Sequence, residues 1–106
     1  MLRSMAPKPQ IEFVEIHQAH GPSGGARAAS YYVFRVAQKE VAIEVHNSAV
    51  MTRDGDLAPD KVKIAAQAFL EQVVQRQATQ KLPQILVLDE AQMDRLINRL
   101  GWPSRF

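Results

Sequence analysis

Apolar and polar residues alternate on both arms of the stretch from Tyr31 to His46, which predicts a β-hairpin. Centring its turn on Gln38-Lys39 sets Val36 opposite Val41, Phe34 opposite Ile43 and Tyr32 opposite Val45. The other face then carries Arg35 opposite Ala42, Val33 opposite Glu44 and Tyr31 opposite His46. Side chains of a strand alternate between its two faces, so one face of the hairpin is committed to a core and the other is more polar.

Upstream, Ile11-Glu12-Phe13-Val14-Glu15-Ile16-His17 is rich in β-formers and predicts a first strand. Its parity stays open, because the neighbours Phe13 and Val14 must point to opposite faces. Residues 18–28 hold the Gly/Pro/Ser cluster of a loop. Asn47-Ser48 ends the third strand, and Thr52-Arg53-Asp54-Gly55-Asp56 reads as a surface loop.

The period changes at Pro59. Val62, Ala66, Phe69 and Val73, flanked by Ala65 and Leu70, form one stripe of a helix that runs to about Gln77. Pro59 suits a first helical position, and Asp60 complements the positive end of the helix dipole. The continuous run Ile85-Leu86-Val87-Leu88 predicts a buried strand. Asp89 and Gln92 then make a capping-box variant for a second helix with the stripe Met93, Leu96, Ile97 and Leu100. Gly101 and Pro103 end it. The predicted class is α+β: an antiparallel three-stranded meander plus a short fourth strand, with two helices packed on one face in two layers.

Composition places this fold in a single globular domain. The 106 residues are 46% hydrophobic, too apolar for a disordered chain. The organisation expected is a flexible segment over residues 1–10 and one domain over 11–106. With no cysteine, disulfides and thiolate metal sites are excluded, which suits the reducing cytoplasm taken as the expected location. No stretch reads as a signal peptide or a membrane span. The net charge is +2, and none of the stretches 1–28, 29–58, 59–83 and 84–106 exceeds that value, so the basic residues are dispersed.

Candidate chemistry is sparse. His17, His20 and His46 are the only histidines, and His17-x-x-His20 has the spacing of a ligand pair. Ordinary exposed histidines account for them better, and neither a metal nor a cofactor is expected. The loop Gly21-Pro22-Ser23-Gly24-Gly25-Ala26-Arg27 lacks the lysine and following helix of a phosphate cradle. Asp54-Gly55-Asp56 resembles a calcium loop, but its register places Ala65 where the bidentate glutamate belongs. Neither Ser23 nor Ser48 lies in a nucleophile elbow. The chain therefore reads as a non-enzymatic interaction module.

Two kinds of partner follow. A homodimer is expected from Ile64 and Ala68, which project from the long helix away from its main stripe, and from Trp102 and Phe106, which follow the last cap. Unpaired strand edges add to that expectation. The alternative is a small nucleic-acid-binding accessory or regulatory protein, with Arg95, Arg99 and Arg105 as anion contacts. That reading needs folding to gather them with Arg27, Arg35, Lys61 or Lys63.

Overall fold

The computed structural model describes residues 10–19 and 29–106. The expected N-terminal segment lies almost wholly outside them, as do His20, Ser23 and the glycine loop. Three strands come first: β1 (Ile11–Ala19), β2 (Ala29–Val36) and β3 (Lys39–His46). The short helix α1 (Asn47–Val50) leads into a small ribbon of β4 (Met51–Thr52) and β5 (Gly55–Asp56). Then follow α2 (Pro59–Arg76), a 3-10 turn over Thr79–Lys81, β6 (Ile85–Leu88) and α3 (Glu90–Leu100). The main sheet has the order β1-β2-β3-β6, an antiparallel meander with β6 added parallel to β3.

One face of this sheet is the core. Tyr32, Phe34, Val36, Val41, Ile43 and Val45 are buried beneath Val62, Ala66, Phe69 and Leu70 of α2 and Met93, Leu96 and Ile97 of α3. The expected α+β class with helices on one face is what forms. α2 begins, and α3 begins and ends, where terminal chemistry dictates. Pro59 opens α2 with Asp60 in its first turn. The Asp89 carboxylate accepts from Gln92 N–H at 2.9 Å while Asp89 N–H donates to the Gln92 side chain at 3.2 Å. Gly101 adopts a left-handed φ of 74°, and Trp102 N–H reaches back to the Ile97 carbonyl.

The hairpin register differs from expectation by two residues. Val36 pairs with Lys39, Phe34 with Val41 and Tyr32 with Ile43, so the loop is Ala37-Gln38 rather than a turn centred on Gln38-Lys39. A two-residue loop best matches strand twist, and it demands positive φ, which Ala37 supplies at 56°. A shift of two leaves every side chain on its expected face and changes only its partner. Glycine occupies the left-handed region without the Cβ penalty that Ala37 carries. We expect Ala37→Gly to stabilise the fold by about 0.5–1 kcal/mol in urea denaturation; a loss of stability contradicts the turn geometry.

The parity of β1 is settled by a bulge between Phe13 and Glu15. The extra residue lets both Phe13, opposite Phe34, and Ile16, opposite Tyr32, lie on the helix side. The Phe13 and Phe34 rings meet edge to face at 5.6 Å.

A second correction concerns β6. Its continuous apolar run reads as a buried strand, yet Ile85 is 50% and Val87 43% exposed. Among the described residues the strand sits at the edge of a sheet covered on one face only, so alternate residues meet solvent while Leu88 is buried.

Candidate functional site

The uncovered sheet face is a set of cross-strand rows. Arg35 holds Glu12 at 3.0 Å on one side and Glu40 at 3.3 Å on the other. The next row is Glu15, Val33, Ala42 and Ile85 from β1 to β6, and the one after is His17, Tyr31, Glu44 and Val87. Tyr31 Oη donates to Glu44 Oε1 at 2.9 Å, and His46 Nε2 lies 2.9 Å from Glu44 Oε2. The bond to Glu44, with burial and the carboxylate charge, holds the Tyr31 hydroxyl above its ordinary pKa. It is therefore a hydrogen-bond donor and not a base near neutral pH.

His17 and His46 do not meet. His17 pairs with Glu15 at 2.8 Å and His46 with Glu44, on strands separated by β2. Among the described residues no three metal-ligating side chains come together. Nor does any helix among them have the length and apolarity to cross a membrane.

The outer edge of β6 is chemically different. The Ala42 N–H donates to the Gln84 carbonyl at 2.8 Å, so Gln84 turns its main chain toward β3. Main-chain groups alternate in direction along a strand, which turns Leu86 to β3 as well and leaves the N–H and C=O of Ile85 and Val87 facing outward. Along this edge runs a groove of about 480 Å³ between α2 and α3. Phe69, Val73, Leu86, Val87 and Leu96 supply its apolar lining, and Gln72, Gln77 and Gln92 its neutral polar groups. Arg76, Arg95 and Arg99 supply its charge.

No carboxylate offsets those arginines. All 11 acidic residues of the chain lie among the described residues, and none forms a salt bridge to Arg76, Arg95 or Arg99. The sequence pointed to Arg95 and Arg99 but not to Arg76. Arg76 ends α2 and joins the pair only because α2 and α3 pack side by side, which no local pattern encodes.

The other cations expected to join them are engaged elsewhere. Arg35 is held by its two glutamates, Lys61 lies over the Trp102 ring at 5.5 Å, and Lys63 lies over the Phe13 ring at 4.8 Å. Arg27 falls outside the described residues. Arg105 requires a correction: it is only 5% exposed and is not an external anion contact. Its guanidinium donates to Asp94 at 2.7 and 3.3 Å and to the Ser48 and Met51 carbonyls, each at 2.9 Å.

The four interface candidates divide. Ile64 and Phe106 are 49% and 64% exposed, whereas Ala68 and Trp102 are partly covered and pack against their own core. Comparison with protein families, with curated proteins and with solved structures returns no match. The chemistry of the site must carry the functional reading.

Proposed function

We propose that this chain is a non-enzymatic interaction module that receives an extended segment of a protein partner on β6. The observation that carries this is the outward main chain of Ile85 and Val87 on a strand that ends the sheet. An unpaired edge is a template for another strand, and main-chain hydrogen bonds supply the affinity. The opposite edge, β1, is blunted by its bulge, whereas β6 has no bulge, proline or charged residue in it.

Self-association is the second reading, and it rests on the exposed side chains of Ile64 and Phe106. It does not extend to β6, since pairing that edge with its own copy brings two sets of Arg76, Arg95 and Arg99 together. A nucleic-acid role has less support, because Lys61, Lys63, Arg35 and Arg105 are all committed within the fold.

Val87→Pro tests the proposal. Proline there deletes an outward N–H and breaks no bond to β3. Peptides selected from a random library on the wild-type protein should lose binding to Val87→Pro and keep it for Glu12→Gln, on the far side of the open face. Selected peptides that bind Val87→Pro undiminished, or a selection that yields none, defeats this function.

A further inference from the structure

We infer that the segment received by β6 is acidic on one face and apolar on the other, with carboxylates at alternate positions entering the Arg76/Arg95/Arg99 groove. This rests on the reading of β6 as the docking edge and adds the chemistry of its occupant. A strand added to β6 continues the alternation of the sheet. Its residues beside Leu86 project to the helix side, where the arginines stand. Those beside Ile85 and Val87 project to the open face, where both side chains are exposed and apolar.

Charge sets the first requirement. Three arginines share one groove, and every carboxylate in the chain is placed elsewhere. An arginine one helical turn from another, as Arg99 is from Arg95, is repelled by it until an anion arrives. Spacing agrees as well. One turn of helix rises about 5.4 Å and alternate strand residues repeat about every 6.6 Å, so carboxylates two apart can engage arginines four apart. Each carboxylate can accept a forked pair of N–H bonds from a guanidinium.

The open face sets the second requirement. Glu44 neighbours Val87 across the β3–β6 pair and already accepts from Tyr31 while lying against His46. An acidic side chain on that side of the guest lies on the same face as Glu44, just beyond Val87, and is repelled by it. Apolar residues instead cover Ile85 and Val87. The pattern is therefore alternating acidic and apolar, and not merely acidic. A nucleic-acid strand fits less well, because Phe69 is the only aromatic residue lining the groove and is itself buried, leaving no platform for a base.

A fluorescein-labelled peptide of alternating glutamate and valine tests this against its glutamine-valine counterpart. A second control is the glutamate peptide N-methylated at alternate residues, which blocks strand pairing from the guest side and leaves the protein unaltered. Fluorescence anisotropy is read for the wild type, Val87→Pro and Arg95→Gln/Arg99→Gln, each first shown folded by its circular dichroism melt.

We expect the glutamate peptide to bind about tenfold or more tightly than the glutamine peptide, and the double arginine variant to erase that difference. Val87→Pro and N-methylation should each abolish binding. Strand-dependent binding that is equal for both peptides overturns the acidic occupant and leaves the docking edge standing. Charge-dependent binding indifferent to both Val87→Pro and N-methylation removes the docking edge, and this inference with it. Displacement of the peptide by a single-stranded oligonucleotide of equal charge at lower concentration assigns the groove to nucleic acid and overturns the peptide. No binding of the glutamate peptide at low salt also overturns it.

Discussion

Replacing Arg105 with methionine should lower the free energy of unfolding by about 2–4 kcal/mol, because it strands two carbonyls that the guanidinium satisfies. Methionine retains much of the volume of the side chain, so the loss reports hydrogen bonds more than packing. The Arg105 Nη1 group alone bonds the carbonyls of Ser48 and Met51, which flank the junction of α1 and β4. Its Nε and Nη2 hold Asp94 on α3, and its own carbonyl accepts from Arg53 N–H at 2.8 Å. One side chain thus ties the segment after α3 to three earlier elements. Lysine should recover only part of the loss, since a point charge cannot reach two carbonyls and a carboxylate with fixed fork geometry. Urea denaturation of the three proteins measures this, and an Arg105→Met loss below about 1 kcal/mol refutes the tie.

Acid provides an independent check on the same contact. The hydrogen bond and charge of Arg105 hold the Asp94 carboxyl below its ordinary value of 3.8. A carboxyl depressed in the folded state stabilises the fold fully above the unfolded value, and that contribution is lost as pH falls through the folded one. Stability of the wild type should therefore fall more steeply with acid than that of Asp94→Asn at pH below about 4. Asp94 is 56% exposed, so solvent screens the pair and the difference in slope is modest.

Arg105 also shows where sequence reasoning stops. Elements with local signatures were legible to the residue or nearly so: the Pro59 start of α2, the Asp89–Gln92 box, the Gly101 end and the Ile85–Leu88 strand. So was the division of faces in the hairpin, because burial follows parity. Its register was not, since Ala37 accepts a conformation that ordinarily announces itself as glycine or asparagine. Contacts between residues far apart in the chain left no trace at all. The carbonyls that neutralise the anion-site reading of Arg105 lie 57 and 54 residues away. Arg76 meets Arg95 and Arg99 across a helix–helix packing, and exposure of Ile85 and Val87 follows from which strand ends the sheet. The candidate site was thus half legible: two of its arginines and the strand, but not the groove they make.

Phe34→Ala should be the most destabilising single substitution in the sheet, at about 3–5 kcal/mol. Phe34 is fully buried, on β2 between two other strands, with its ring against Phe13 and beneath the helix layer. Truncation removes the transfer free energy of an aromatic ring and leaves a cavity that flanking β-structure cannot collapse to fill. Phe13 differs: it is half-buried on the edge strand β1, so Phe13→Ala should cost distinctly less. The two rings form one edge-to-face pair, and the double variant should lose less than the sum of the singles, by about 0.5–1.5 kcal/mol. That deficit separates a ring–ring contact from two independent burials. Equal losses for Phe13→Ala and Phe34→Ala, or strict additivity, contradict a β1 placed outside β2 with the bulge that carries Phe13 to the helix side. Urea unfolding of both singles and the double decides between these outcomes, with unchanged m-values confirming that all four proteins unfold in the same transition.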